Sequence, residues 1–305
     1  MVSALRDQGL QVPRQALVAT GDDLVRALDH VGLPVVVKPS ASSGSDGCRI
    51  CHTEREAVEH FMAIHRCTNL LGTVNEAVLV QEYLPGTQYV VATVSMDGQH
   101  HLHELSRSCV DERGGTPTRR HTISHRRLGP EERPVIAYVY ACLDALGIRH
   151  GAANTDVRLT GAGPRIIEVN ARILGPTLDP DPYFNAYGSS HQHLLIESTL
   201  APADFRRRLR LEYAPPNVMG KAFLRSVESG VLRGIPGLEA VRRLPGFHSA
   251  TSLPEVGSTV SDQTLTTGST GIVYFIHEDE SLVEKSLDVL LSMENAGGLF
   301  DVAAA

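Results

Sequence analysis

Two acidic segments in the middle of the chain contain side chains suited to metal chemistry. The first includes Asp156, and the second has Glu168, Asn170 and Arg172 at alternate positions. Side chains on a β-strand alternate between its faces, so these three share a face, and Asp156 can oppose Glu168 if the segments pair as an antiparallel hairpin. Two carboxylates and an amide oxygen suit Mg²⁺, and a guanidinium beside them can hold a carboxylate or phosphoryl oxygen. Taken alone, such spacing also fits a solvated sheet face.

A lysine and a loop of small residues precede these segments. Lys38 ends a β-branched run, and Pro39 follows it. The next eight residues, 40–47, contain four serines and two glycines. Backbone N–H groups of such a loop can approach phosphate oxygens. The loop has neither the residue order of a Walker A loop nor that of a Rossmann turn, so a different nucleotide-binding fold is required.

The elements that must position these residues alternate between helical and strand-like patterns, which predicts an α/β protein. The patterns predict helices at 22–30, 54–64 and 132–146, with Asp22 or Asp23 near the first N-cap, and strands at 35–38, 49–51, 77–82, 89–96, 99–105, 152–159 and 165–169. The polar segment 106–130 is predicted to be an exposed loop. Segments at 221–226, 238–243, 271–277 and 280–293 predict a small terminal α/β unit.

Composition restricts the function. The 305 residues predict two or three folded units, and a net charge of −7 argues against nucleic acid as the main partner. No apolar run approaches the roughly 18 residues of a membrane span, and the N-terminus has no secretory signal pattern. Five cysteines, an odd number without an export signal, predict reduced thiols and a cytoplasmic location.

Three segments together resemble a known family. PVVVKPSASSGSDGCRI, VLVQEYLPGTQYVV and HGAANTDVRLTGAGPRIIEVNAR have the order and spacing of the ATP-grasp superfamily, and SGVLRGIPGLEAV with GSTGIVYFIHEDE resembles its carboxylate–amine ligase branch, of the L-amino-acid ligase type. The resemblance extends over nearly all of the chain. It implies an ATP-grasp fold, in the α/β (α+β) class: a small lid subdomain at 1–82, a larger antiparallel-sheet catalytic subdomain with the metal site at 83–215, and a C-terminal ligase-type subdomain at 216–305.

The resemblance also implies an activity and a set of roles. It implies a ligase that uses ATP and Mg²⁺ (or Mn²⁺) to join an amino-acid-like carboxylate to an amine through an acyl-phosphate, releasing ADP and phosphate. Arg172 and Glu168 would be catalytic, and Asp156, Glu168 and Asn170 would bind the metal. The nucleotide would contact Lys38 at the adenine edge and α-phosphate, Ser42, Ser43, Gly44, Ser45 and Gly47 at the β- and γ-phosphates, Gln81, Glu82, Tyr83 and Leu84 at adenine, and Gln88 at the ribose.

Four positions depart from the family pattern. Gln81 and Gln88 stand where glutamate is common, Asn154 replaces a histidine, and Asp156 is shorter than the usual glutamate. Family members also carry a Rossmann-like N-terminal domain. Three alternatives stay open: the domain is encoded upstream of Met1, another protein supplies it, or the fold works without it. The alternative to an active ligase is therefore an ATP-binding subunit without turnover, or one part of a split ligase. The oligomeric state also stays open, and a homodimer is one possibility. A carboxylase or kinase-like relative is disfavoured by the ligase-like C-terminal segment.

Other motifs predict less. The C-x-x-C-H pattern at 48–52 matches the motif of haem attachment, but haem is disfavoured because the sequence has no export signal. Zinc binding is disfavoured because no second cysteine pair completes a tetrahedral site. The histidines at 100–103 and the arginines at 206–208 are interpreted as solvated surface. The Arg-Arg-His segment at 119–121 stays open, because a long functional loop there can reach a substrate carboxylate.

Overall fold

The computed structural model describes residues 1–113, 115–175, 179–262 and 270–303. The N-terminal elements are α1 (Val2–Asp7), β1 (Gln15–Val18), α2 (Gly21–Val31), β2 (Val35–Pro39), β3 (Arg49–Cys51), α3 (Glu54–Ile64) and β4 (Val78–Glu82). They are followed by β5 (Thr87–Met96), β6 (Gln99–Arg113), β7 (Thr116–Ser124), α4 (Glu132–Ala145), β8 (Gly151–Thr160), β9 (Gly163–Asn170), α5 (Asp181–Tyr187), α6 (His191–Leu200) and α7 (Pro202–Arg208). The last are β10 (Val218–Phe223), β11 (Gly230–Gly234), α8 (Leu238–Val241), β12 (Phe247–Thr251), β13 (Thr259–Val260), β14 (Ile272–His277), α9 (Glu280–Asn295) and β15 (Asp301–Ala303).

The N-terminal sheet has four antiparallel strands in the order β1-β4-β2-β3. Helices α2 and α3 pack on it and bury Val31 and Phe61 in one apolar core with the sheet. Both helices begin with a capping box, in which Thr20 and Thr53 accept a hydrogen bond from the third helical N–H. Asp22 and Asp23 lie in the first turn of α2, next to the N-cap, as predicted; the cap itself is Thr20, and Asp23 completes the box.

The central sheet has eight antiparallel strands in the order β12-β14-β10-β7-β6-β5-β8-β9. Strand β5, in the interior of this sheet, is buried on both faces: Val91 packs with α4 on one side, and Val90 packs with α5 on the other. Strands β10, β12 and β14 come from beyond residue 215, so the C-terminal part of the chain completes this sheet. A separate three-stranded sheet has the order β13-β11-β15.

The mixed α/β architecture with a large antiparallel sheet confirms the predicted fold class. The segment 106–130, predicted to be an exposed loop, is instead mostly strand: β6 continues to Arg113 and pairs with β7. Its polar residues were misleading because several face the interior; Ser106, Thr122 and Ser124 are buried. None of the described helices combines the length and apolar character needed to cross a bilayer.

Candidate active site

The β8–β9 hairpin brings the two acidic segments together. Asp156 lies opposite Glu168, and Asn154 lies opposite Asn170, in antiparallel register. A bulge follows Asp156, where the register shifts before Val157 pairs with Ile166. The alternation of β9 places Glu168 and Asn170 on one face, and the Asn170 amide donates to Glu168 Oε1 at 3.0 Å. The hairpin therefore presents two carboxylates and an amide on one patch of the central sheet.

Asp156 is the buried member of this patch, and two side chains hold it. Its Oδ1 accepts hydrogen bonds from Arg119 Nη2 at 2.5 Å and from Gln88 Nε2 at 3.1 Å. The Arg119 guanidinium is fixed in turn by a 2.9 Å bond from its Nε to Ser108 Oγ. The strands β5, β6 and β7 thus all contribute to the orientation of one carboxylate on β8. Gln88, predicted to lie near a ribose, makes its side-chain contact with Asp156.

The chemistry of these side chains fits a hard divalent cation. Carboxylate and amide oxygens are the ligands that Mg²⁺ takes in proteins. Nearby, Asn154 Oδ1 is buried and has no hydrogen-bond partner among the described residues. Within the described ranges, no three His, Cys, Asp or Glu side chains gather as a metal-binding group, so such a site has two carboxylates and must draw its other donors from amides, phosphates or water.

The serine-rich loop between β2 and β3 has a defined internal structure. Asp46 Oδ2 accepts the Ser42 hydroxyl at 2.7 Å and the Leu70 backbone N–H at 2.8 Å, which joins the loop to the segment after α3. Gly47 has φ +60°, and a Cβ there would lie 2.9 Å from the Pro39 ring. This position therefore requires glycine on both conformational and steric grounds.

The end of β4 and the residues after it connect the N-terminal sheet to the central sheet. The Gln81 amide donates to Gln15 Oε1 at 2.8 Å, and the backbone N–H of Tyr83 donates to Pro34 O at 3.2 Å. The Glu82 carboxylate accepts the Arg14 backbone N–H at 3.0 Å. Leu84 is 7% exposed. These contacts fix the course of the chain where it leaves the N-terminal sheet.

A cleft of about 450 Å³ lies between the N-terminal sheet and the β8–β9 hairpin. This volume is within the range of small-ligand sites. The predicted site residues that line it are Lys38, Ser42, Ser43, Gly44, Ser45, Gln81, Glu82, Tyr83, Leu84, Gln88, Asp156, Glu168, Asn170 and Arg172. Gly47 is not on the wall; its carbonyl contacts His60 Nε2 at 2.8 Å. The structure thus brings fourteen of the fifteen predicted site residues to one cleft.

Sequence reasoning did not assign several residues of the cleft wall, among them Arg119, Arg158 and Asp46. Arg158 follows Asp156 by two positions on β8, so strand alternation was the signal for it. Its guanidinium donates to Gly86 O at 2.7 Å, and burial lowers its pKa. Arg119 lies in the segment predicted to be a loop, and its alternation with Pro117 is informative only because β7 is a strand.

The other motifs are structural. Burial raises the pKa of both Cys48 and Cys51 to about 11, which disfavours the thiolate form that metals and redox chemistry need. The histidines at 100–103 are not a solvated face: His103 is 3% exposed, and burial lowers its pKa well below the usual value. The arginines at 206–208 lie on α7 and pair with nearby carboxylates, as a solvated helix face does.

The chain places a small-residue loop, a connecting segment and an oxygen-rich hairpin around one cleft, an arrangement suited to binding a nucleotide. Residues 31–181 match the family model described as an ATP-grasp domain. This chain therefore carries an ATP-grasp domain, as the sequence resemblance predicted.

Two curated relatives and one solved structure extend this result. Dapdiamide A synthase of Enterobacter agglomerans is 32% identical over 216 residues, covering 70% of this chain and 50% of that protein. Carnosine synthase 1 of Homo sapiens is 30% identical over 167 residues, covering 50% of this chain and 19% of that protein. The chain thus spans half the length of the first relative and about a fifth of the second. The fold matches an L-amino acid ligase from Bacillus licheniformis with a TM-score of 0.78 at 20% identity, over 100% of this chain and 71% of that one.

Proposed function

We propose that this chain is an ATP-dependent ligase that joins the carboxylate of an amino-acid-like substrate to an amine. The observation that carries the proposal is the single cleft that combines the serine-rich loop, the segment 81–84 and the carboxylate hairpin. The names of the relatives, dapdiamide A synthase and carnosine synthase 1, and of the structural match, an L-amino acid ligase, support the same chemistry.

The reaction has two steps. A carboxylate oxygen attacks the γ-phosphorus of ATP, and the bond to the bridging oxygen breaks, which yields an acyl-phosphate and ADP. The amine nitrogen then attacks the acyl carbon, the carbon–oxygen bond to the phosphate breaks, phosphate leaves, and the nitrogen loses a proton. Positioning and charge neutralisation do most of the work in such transfers.

Each part of the cleft has a proposed task in these steps. Lys38 contacts the adenine edge and the α-phosphate, and N–H groups of the loop, at Ser42, Ser43, Gly44 and Ser45, hold the β- and γ-phosphates. Backbone groups at 81–84 bind adenine, with Leu84 against the ring. Arg172, whose guanidinium is exposed and donates to Ile173 O at 2.9 Å, is free to turn toward the transferring phosphoryl group and the acyl-phosphate.

We propose that Asp156, Glu168 and Asn170 would hold Mg²⁺ or Mn²⁺. When bound, the ion neutralises phosphate charge and polarises the phosphoryl oxygen. The side chains themselves contribute the fixed geometry: Asp156 is held by Oδ1, which leaves Oδ2 for a ligand, and Asn170 orients Glu168.

The test is turnover of the purified chain with ATP, Mg²⁺ and a panel of amino-acid pairs. The expected result is ADP, phosphate and a condensed product in equal amounts, with all three abolished in Glu168→Gln. This variant removes an exposed ligand oxygen and no core volume, so its melting temperature should equal that of the parent. No ADP above background across the panel, with ATP still bound, would refute the ligase.

An ATP-binding subunit without turnover of its own is the second candidate. Two observations favour this candidate. Asp156 is ion-paired with Arg119, and Asn154 and Asp156 differ from the histidine and glutamate of the family pattern. Activity that appears only after addition of a separate polypeptide carrying an N-terminal domain would identify a split ligase. The oligomeric state is a separate question, and light scattering would distinguish a monomer from a homodimer. We further propose small-molecule substrates, no nucleic-acid or membrane partner, and a cytoplasmic location, since all five cysteines are free thiols.

A further inference from the structure

The carboxylate of Asp156 already has a positive partner of its own. Arg119 Nη2 lies 2.5 Å from Asp156 Oδ1, and both side chains are largely buried, at 21% and 8% exposure. The bond between Arg119 Nε and Ser108 Oγ keeps the guanidinium in place. Gln88 donates to the same oxygen without carrying a charge. The Asp156 carboxylate is therefore both oriented and electrically neutralised by its neighbours.

A guanidinium in this position opposes the binding of a metal ion to the same carboxylate. A divalent cation on Oδ2 would be about 5 Å from the guanidinium, and at that distance the repulsion weakens binding more than tenfold even with the screening of bulk water. At a largely buried pair the screening is weaker, so the effect is larger. Loss of an orienting neighbour normally weakens a metal site, but Gln88 still holds Oδ1 when Arg119 is changed.

We propose that Arg119 prevents the hairpin from binding a divalent metal ion tightly on its own and so makes metal binding depend on the nucleotide. This inference rests on the proposed function, because it takes the hairpin as the metal site of an ATP-dependent enzyme. The phosphates of a nucleotide bring negative charge that offsets the positive charge of Arg119. They also supply metal-ligand oxygens in addition to those of the two carboxylates. Metal and nucleotide then bind with positive coupling, each raising the affinity for the other by the same factor.

The experiment is a Mn²⁺ titration, followed by electron paramagnetic resonance, with and without a non-hydrolysable ATP analogue. The variants are Arg119→Gln, which removes the charge, and Arg119→Lys, which keeps it. Arg107→Gln is the matched control, because it removes the same charge from the neighbouring strand β6, where Arg107 pairs with Glu284 of α9 instead of a cleft residue.

In the parent, the analogue should tighten Mn²⁺ binding at least tenfold. Without nucleotide, Arg119→Gln should bind Mn²⁺ at least tenfold more tightly than the parent, so that the coupling shrinks, whereas Arg119→Lys and Arg107→Gln should stay within about threefold of it. Equal or weaker Mn²⁺ binding in Arg119→Gln, with nucleotide binding intact, overturns the inference and leaves the proposed function standing. A parent that binds neither the analogue nor Mn²⁺ with it overturns both. If Arg119→Gln does not fold, Arg119→Lys decides: a tenfold tightening in it also overturns the inference.

Discussion

Replacement of Asp46 by alanine should weaken nucleotide binding about tenfold without unfolding the chain. Asp46 lies in the serine-rich loop and joins it to the segment after α3 by accepting from Ser42 Oγ at 2.7 Å and from Leu70 N at 2.8 Å. The apolar core of the N-terminal sheet does not include Asp46. The expected defect is therefore a loop with more conformations, only some of which place its N–H groups around phosphates.

The magnitude follows from these two hydrogen bonds. A hydrogen bond to a charged group contributes about 1.5–3 kcal/mol when buried, and these bonds are partly exposed, so the lower end applies. The two bonds together contribute about 3 kcal/mol at that lower end. If half of this, about 1.5 kcal/mol, is what orders the nucleotide-free loop, its loss weakens the Kd roughly tenfold. An opposing effect is that the Asp46 charge repels phosphate. Asp46→Asn separates the two, because it removes the charge but keeps an acceptor, and its Kd should stay within about threefold of the parent.

Anisotropy of a fluorescent ADP analogue measures the affinity, and the melting temperature is the control for folding. The reasoning fails if Asp46→Ala binds the analogue as tightly as the parent, since the loop would then need no internal order. It also fails if both variants bind more tightly, since repulsion would then outweigh order.

Three further predictions concern the site and its support. Arg172→Ala should lower the turnover number on the order of 10³-fold while leaving ATP affinity and melting temperature near those of the parent, if this guanidinium acts on the transition state; unchanged turnover would remove it from that role. Arg120→Ala leaves the fully buried carboxylate of Glu294 with fewer positive partners, so urea denaturation should show a loss of about 3–5 kcal/mol in unfolding free energy. Burial lowers the pKa of His101 to about 4, whereas the unfolded chain protonates near 6.5, so stability is full above pH 6.5 and falls as the pH drops toward 4, by about 1.4 kcal/mol per pKa unit. His101→Phe should remove that part of the pH dependence, and an unchanged urea midpoint profile would contradict it.

Local signals in the sequence predicted the elements where local physics decides the structure. Helix α3 has the predicted bounds, 54–64, because a capping box fixes its start and an apolar stripe fixes its face. The hairpin of β5 and β6 turns at Asp97-Gly98, where both residues have positive φ, as that dipeptide predicts. Strand β6 continues past its predicted end at residue 105, because pairing with β7 over a polar interior overrides the polar composition.

The adjacent residues Arg119 and Arg120 illustrate what local signals could not supply. As part of a loop, both arginines are candidates to reach a substrate carboxylate; as part of β7, their side chains face opposite sides of the central sheet. The register with β6 shifts so that Val110 pairs with Arg119 and Cys109 pairs with His121, which leaves Arg120 as the additional residue of a bulge. Arg119 therefore reaches Asp156 in the cleft, while Arg120 pairs with Glu294 of α9, 174 positions away.

The consequence is that two neighbouring arginines have separate effects. Arg120 neutralises a carboxylate that is otherwise buried, so its substitution should change the free energy of unfolding. Arg119 neutralises a carboxylate that we assign to a metal ion, so its substitution should change metal affinity. Neither partner can be identified from the sequence around residue 119, because both depend on strand pairing and helix packing between distant segments. A variant series at these two positions that changed both properties equally would show that the bulge does not separate their roles.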